Sequence, residues 1–322
     1  MLNISAAQVD ACLTSADLVE TLRTAFRKGA VQPVRHHHTV ERPEGSDSTL
    51  LLMPAWSDFS TVSSGENGYV GVKIATVSPD NNAIGKPAVM AVYLLMNGQT
   101  GEPLALIDGQ SLTVWRTACA SGLAASYLAR EDASRLLIVG AGALAPLLAR
   151  AHSAVRPIRT VRIWNRSPEN AVKVAAALRD EGMDAAAVDD LDRAVAEADI
   201  VSCATLSSTP LVRGAVLKPG THVDLIGAFT PTMRESDDEA VARAAVFVDT
   251  RAAAVKEAGD IVQALKSGAL KEEDIRGDLY ELTRGEKPGR KSADEITLFK
   301  SVGAAIEDLA AGIAVYERCS RT

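Results

Sequence analysis

The run Gly140-Ala141-Gly142-Ala143-Leu144-Ala145 follows the compact apolar segment Arg135–Val139 directly and leads into a helical pattern over Ala143–Val155. Strand, glycine-rich turn and helix in that order are the context in which a GxGxxA sequence binds a dinucleotide. Gly140 permits the tight turn, Gly142 lets the backbone approach a pyrophosphate without a clashing Cβ, and Ala145 lets helix and strand pack closely. Ala143 and Leu144 then place their amides at the helix N-terminus, where unpaired N–H groups and a partial positive charge suit phosphate.

The segments after this turn keep alternating. Thr160–Trp164 reads as a second strand, Glu169–Glu181 as a helix, and Ile200–Thr205, His222–Ile226 and Ala245–Val248 as further strands. Strands spaced by helices imply an α/β fold, a Rossmann-type doubly wound parallel sheet covered on both faces. The chain before it reads differently. Leu18, Leu22 and Phe26 recur at helical spacing behind Ser15, the expected N-cap. Ser48–Met53, Gly68–Thr76, Ala88–Met96 and Pro103–Ile107 are short apolar runs bounded by Gly, Pro or Asn, and Asn97-Gly98-Gln99-Thr100-Gly101 has the composition of a hairpin turn. This N-terminal part is expected to be mostly antiparallel. A helix over Trp115–Ala129 joins it to the Rossmann part, and Asp294–Arg318 reads as a closing helix that packs back on the first unit. The predicted domains are 114–292, and 1–113 together with 293–322.

The tip of the second Rossmann strand discriminates between nicotinamide cofactors, because an acid there binds the ribose 2′-hydroxyl of NAD and repels the 2′-phosphate of NADP. Here it reads Trp164-Asn165-Arg166-Ser167, with no acid and a guanidinium suited to paired hydrogen bonds with phosphate. NADPH is the expected cofactor and NADH the second candidate. An ordinary solvated arginine is the competing reading of Arg166.

Composition removes other classes. Lys plus Arg number 34 against 41 Asp plus Glu, a net charge of −7, with no long basic run to track a phosphate backbone, so nucleic acid is not an expected partner. No stretch approaches the roughly 20 apolar residues that span a bilayer, and Met1–Leu13 lacks the pattern of a secretory signal. Cys12, Cys119, Cys203 and Cys319 are far apart in sequence and form no CxxC pair, which suits a reducing, cytoplasmic setting. Cys119 and Cys203 are expected to be packed small hydrophobes. His36-His37-His38 cannot converge on one metal if they lie on a strand, where successive side chains alternate faces. No metal is expected. Asp108-Gly109 is expected to form a turn.

Arg116-Thr117-Ala118, Val161-Arg162-Ile163-Trp164-Asn165-Arg166 with Glu169-Asn170-Ala171, Lys256-Glu257-Ala258-Gly259-Asp260, and Asp294-Glu295-Ile296-Thr297-Leu298-Phe299-Lys300-Ser301-Val302-Gly303 occur in this order along the chain. Together they resemble the ornithine cyclodeaminase/mu-crystallin family over nearly its whole length. The resemblance implies that the Rossmann domain binds the dinucleotide, while the α+β domain binds substrate and forms a homodimer. It implies that the substrate carboxylate is held by Arg35, Lys73 and Arg116. It also implies cofactor contacts at Arg116, Thr117, Gly140, Gly142, Ala143, Leu144, Asn165, Arg166, Ser167, Thr205, Gly227 and Ser301, with Lys300-Ser301 bordering the nicotinamide.

One segment departs from the amino-acid-deaminating members, which place a catalytic aspartate before a proline. Here the segment reads Gly227-Ala228-Phe229-Thr230-Pro231-Thr232-Met233-Arg234-Glu235, and Phe229 stands where that acid would be. Phenylalanine cannot move a proton, so ornithine cyclodeamination is disfavoured. This form resembles the branch that reduces Δ1-pyrroline-2-carboxylate to L-proline, in some cases also the piperideine homologue to L-pipecolate. Phe229 and Thr230 would then border the substrate ring. Water, Thr230 and Lys73 remain alternative sources of the proton for the imine nitrogen. Alanine dehydrogenase or N-alkyl amino-acid dehydrogenase is the second reading, and a non-catalytic NADPH- or ligand-binding protein of mu-crystallin type the third.

Overall fold

The structure, a computed structural model, describes residues 1–62 and 67–321. Backbone contacts divide the chain within one helix, into a unit of Met1–Arg116 together with the segment from Ala305 onward, and a unit of Thr117–Ala304. The sequence-based boundary at 293 therefore falls too early, by the stretch that contains one strand of the second unit.

The first unit runs β1 (Leu2–Ile4), α1 (Ala6–Cys12), α2 (Ser15–Lys28), β2 (Ala30–Val31), β3 (His36–Val40), β4 (Ser48–Ser57), β5 (Tyr69–Val77), β6 (Val89–Asn97), β7 (Pro103–Asp108) and the start of α3 (Gly109–Leu128). Its sheet has the order β1-β7-β6-β5-β4-β2, with β3 also paired to β4. Pairing is antiparallel except where β1 lies parallel to β7. Leu18, Val19, Leu22 and Phe26 form the buried stripe of α2, and the Thr14 side chain, not Ser15, caps it by accepting from the Asp17 amide. Between β6 and β7, Asn97 Oδ1 accepts from the Gln99 and Thr100 amides at 2.9 and 3.0 Å, and Gly101 takes the left-handed φ of 72° that closes the reversal. Asp108 does not form a free turn: its Oδ1 accepts from Ser111 N at 2.8 Å, at the start of α3.

The second unit continues with β8 (Arg135–Val139), α4 (Ala145–Val155), β9 (Thr160–Trp164), α5 (Pro168–Asp180), β10 (Ala185–Ala187), α6 (Leu191–Glu197), β11 (Ile200–Cys203), β12 (His222–Leu225) and α7 (Asp238–Arg243). It ends with β13 (Ala245–Val248), α8 (Arg251–Glu257), α9 (Gly259–Ser267), β14 (Gly277–Asp278), α10 (Leu279–Arg284) and β15 (Thr297–Lys300). The sheet order is β10-β9-β8-β11-β12-β15-β13-β14, and every neighbouring pair is parallel. This is the doubly wound Rossmann sheet. The expectation of a continuous helix from Asp294 fails here: Thr297–Lys300 is a strand between β12 and β13, buried at all four positions. Its four residues Thr-Leu-Phe-Lys are too few for periodicity to separate strand from helix.

After β15 the chain returns to the first unit as α11 (Ala305–Cys319), which packs on α2 and on the inner face of β4, β5 and β6. Gly312 and Gly71 admit the buried Tyr93 ring, since a Cβ on either would lie 2.6 Å from Cε1 or 1.9 Å from Oη respectively. At the far end of the helix Cys319 Sγ lies 3.2 Å from Cys12 Sγ, so two of the four cysteines, distant in sequence, are neighbours as free thiols. Cys119 and Cys203 are fully buried.

Candidate active site

In the second unit the β8–α4 turn has the geometry its glycines predict. Gly140 adopts φ 109°, and a Cβ there would lie 2.5 Å from the Ala204 carbonyl oxygen. Gly142 is exposed, and a Cβ on it would meet no atom within 4 Å, so the space in front of the loop is open where a pyrophosphate would approach. Ala143 and Leu144 precede α4, whose first turn carries Pro146 and therefore lacks an amide that would need a partner. These features fit a dinucleotide. Asn165 is used within the protein: its Oδ1 accepts from Ala141 N at 3.1 Å and its Nδ2 donates to Ser167 O at 3.0 Å, tying the β9 loop to the glycine turn. Arg166 is exposed beside it, and Ser167 starts α5.

The loops after β11 and β12 rest on a buried ionic cluster. Thr205 donates from both N and Oγ1 to Glu235 Oε1, at 2.7 and 2.9 Å. Lys300, at the end of β15 and fully buried, donates to Gly227 O and lies 3.3 Å from Asp260 Oδ2 and 3.7 Å from Glu235 Oε2. Burial, with Asp260 adding to it and Lys300 opposing, pushes the Glu235 carboxyl up to about 7. Gly227 is required, because a Cβ would sit 1.9 Å from Thr205 O. The next residue, Ala228, has φ 48°, a left-handed conformation costly for a residue with a Cβ. Beyond that bend Phe229 lies half-buried against the core of this unit, and Thr230 Oγ1 is 3.4 Å from Thr232 Oγ1. Ser301 is buried and donates to Asp249 Oδ2 at 3.1 Å, the oxygen that also accepts from the amides of Val302 and Gly303. Thr117 is buried on α3.

The first unit brings its predicted cations together. Lys73, pointing inward from β5, donates to Asp308 Oδ1 and Oδ2 at 3.0 and 2.8 Å. Arg116 Nε donates to Asp308 Oδ1 at 3.0 Å, and its Nη1 to Glu307 Oε2 at 2.7 Å. Arg35 is near enough to act on both Lys73 and Asp308 electrostatically. Burial and the neighbouring Arg116 lower Lys73 to about 8 against the pull of Asp308. Burial works to raise Asp308, but Arg116 and Lys73 outweigh it and hold the carboxyl below its ordinary range. Lys73 and Arg116, buried side by side on one acid with Arg35 close by, are cationic donors of the kind that hold a carboxylate.

Glu307, Asp308, Glu235 and Asp260 were not singled out by sequence reasoning. A signal existed for the first two: adjacent acids inside Ala-Ala-Ile-Glu-Asp-Leu-Ala-Ala are out of place unless paired. His36, His37 and His38 lie exposed on β3, and among the described residues no three His, Cys, Asp or Glu side chains are grouped to hold a metal.

Residues 2–322 match the model of the ornithine cyclodeaminase/mu-crystallin family. The chain is 42% identical over 290 residues to Δ1-pyrroline-2-carboxylate reductase of Paracoccus denitrificans, covering 88% of this chain and 89% of that one. Among solved structures, Thermococcus litoralis Δ1-pyrroline-2-carboxylate reductase in complex with NADH and L-proline superposes with TM-score 0.93 at 33% identity, covering 100% of this chain and 98% of that one. An archaeal alanine dehydrogenase dimer with bound NAD superposes with TM-score 0.90 at 31% identity, over 100% and 96%.

Proposed function

Because this chain belongs to the ornithine cyclodeaminase/mu-crystallin family, whose members named above are nicotinamide-linked oxidoreductases of imino and amino acids, we propose that it reduces Δ1-pyrroline-2-carboxylate to L-proline, with NADPH preferred. The observation that carries this reading is the buried cluster of Lys73 and Arg116 on Asp308, with Arg35 near them, cationic donors of the kind that hold a carboxylate. Each cation offers charge-assisted hydrogen bonds, and their fixed directions orient the carbon bearing the carboxylate.

A nicotinamide cofactor supplies the hydride when bound. Gly140, Gly142, Ala143 and Leu144 would take its pyrophosphate, and Asn165 holds the β9 loop so that Arg166 and Ser167 would meet a 2′-phosphate. Thr205, Gly227 and Ser301 form the loops at the strand ends that would receive the rest of the cofactor, with Arg116 and Thr117 as further contacts. A preformed C=N bond needs one proton on nitrogen as carbon accepts hydride. Lys73 is the first candidate donor, because burial weakens its hold on its proton, and Thr230 is the second. Phe229 leaves the β12 loop without the acid that ammonia release would use, which favours a cyclic imine over cyclodeamination.

The reading extends to a homodimer. On the face of the sheet opposite α11, Leu52, Ile74 and Val92 pair across three strands, and Leu50, Thr76 and Met90 pair beside them. Ile74, Met90 and Val92 are 37, 47 and 40% exposed, a continuous apolar surface of the kind that a second copy covers.

The test is loss of NADPH absorbance with purified protein and Δ1-pyrroline-2-carboxylate, beside NADH, the piperideine homologue, and pyruvate with ammonia or methylamine. Rapid oxidation with the cyclic imine and no added amine is expected. Turnover only with the keto acid plus an amine would replace this reading with the alanine or N-alkyl amino-acid dehydrogenase one, and silence with every pair would leave a ligand-binding protein.

A further inference from the structure

Lys73, Arg116 and Arg35 reach the first unit from three separate parts of the chain, and α11 supplies the carboxylates that meet them. Asp308 is the shared partner. Its Oδ1 takes hydrogen bonds from both Lys73 Nζ and Arg116 Nε at 3.0 Å, and its Oδ2 takes a second from Lys73 at 2.8 Å. The residue is fully buried in the first turn of the helix, with Glu307 beside it on Arg116 Nη1. Two long, flexible cations held by one rigidly mounted carboxylate lose most of their freedom before any ligand arrives, which is the preorganisation that tight and oriented binding requires.

Resting on the carboxylate-binding reading above, we propose that Asp308 is a positioning residue: it fixes Lys73 and Arg116 as a pair for the substrate carboxylate without itself touching the substrate. A substrate carboxylate and the Asp308 carboxylate repel, so the acid serves from behind the cations and not within the ligand's own contacts. Glu307 takes the smaller part of the same task, through its ion pair with Arg116. The charged and titratable groups around Lys73 are Asp308 and Glu307 from α11, Arg116 from α3, Arg35 ahead of β3, and Tyr93 opposite it on β6. Of these, Asp308 is the acid in contact with the lysine and favours its charged form.

The experiment compares wild type, Asp308→Asn, Asp308→Glu and Glu307→Gln by kinetics with the cyclic imine across pH, and by calorimetric binding of pyrrole-2-carboxylate, a planar ring carboxylate that cannot be reduced. Asp308→Asn is expected to weaken pyrrole-2-carboxylate and raise KM by about tenfold or more. It is also expected to move the alkaline limb of kcat/KM to lower pH, because loss of the neighbouring negative charge lets Lys73 release its proton sooner. Glu307→Gln should raise KM by less and leave that limb nearer its wild-type position. Asp308→Glu keeps the charge but displaces the carboxylate, so KM should rise while the limb stays. A structural role alone would lower thermal stability and leave the limb of Asp308→Asn unmoved. A folded Asp308→Asn with wild-type affinity and an unmoved limb would overturn the proposal. If that variant does not fold, wild-type KM and affinity in Asp308→Glu would do so. Calorimetry separates the two readings: wild type that binds pyrrole-2-carboxylate but reduces no imine loses the proposed reaction while the Asp308 comparison still stands.

Discussion

A buried lysine beside an arginine is held in its charged form against two opposing effects, desolvation and like charge, and Lys73 shows the outcome in a proton affinity lowered to about 8. In the proposed reaction its charged form both grips the carboxylate and carries the proton. Activity should therefore persist below about pH 8 and fall as pH rises through it, approaching tenfold per unit, more than two units before an exposed lysine would titrate. A kcat/KM profile measures this, and a flat profile to pH 10 would remove Lys73 from the reaction. Under the proposed function Arg166 governs a separate choice. Arg166→Asp should shift the ratio of kcat/KM for NADPH over NADH towards NADH by about tenfold or more, since it replaces the guanidinium proposed to bind the 2′-phosphate with a repelling acid. At this scale the cations were legible only through the family resemblance, which Arg116-Thr117-Ala118 helps to carry. Their counter-ions were not, because Asp308 lies some 190 residues after Arg116, and single-sequence reasoning cannot pair residues across that distance.

The β8–α4 turn separates two uses of glycine that look identical in sequence. Gly140 carries a backbone constraint, with φ 109° and the Ala204 carbonyl 2.5 Å from any Cβ, whereas Gly142 faces open space. Gly140→Ala should lower stability by about 1–3 kcal/mol through strain and overpacking. Gly142→Ala should melt like wild type yet bind the dinucleotide at least about tenfold more weakly, because the added methyl occupies ligand space. Thermal melts and cofactor titration distinguish them, and a destabilised Gly142→Ala would show that its methyl meets protein. The Rossmann strands β8, β9, β11, β12 and β13 were readable because parallel strands form compact apolar runs bounded by turns, whereas β10, three alanines, was missed. β15 was hidden for the opposite reason: four residues ending in lysine, with acids before and an apolar helix after, join smoothly into a longer helical pattern. The lysine is tolerated at that buried position because Asp260, Glu235 and the Gly227 carbonyl receive its ammonium.

For the molecule as a whole, the proposed homodimer places the state of association on the outer sheet face. Val92 is central to it, paired with Ile74 on one side and Asp108 on the other. Val92→Lys should convert a dimer into a monomer in sedimentation while leaving the fold intact, because the substituted side chain stays in water in the monomer. A variant that still sediments as the dimer would place the interface elsewhere. The two-part organisation could be read from sequence through the change from alternating strands to strands spaced by helices. The return of the C-terminal helix to the first unit was expected as well, but its start was set at 293 and not at Ala305, because β15 was read as part of that helix.

That return of the chain gives the protein an order of completion during synthesis. Lys73 and Arg116 leave the ribosome well ahead of the acids that neutralise them, separated by the roughly 190 residues of the second unit. At about 5–20 residues per second, the interval is on the order of ten to forty seconds. Throughout it, the first sheet has no α11 over its inner face, and two cations destined for burial have no Asp308 or Glu307 to receive them. Desolvating unpaired charges is costly enough to keep that face open until the helix arrives. The second unit is thus free to fold first, and the proposed carboxylate pocket is the last part of the molecule to close.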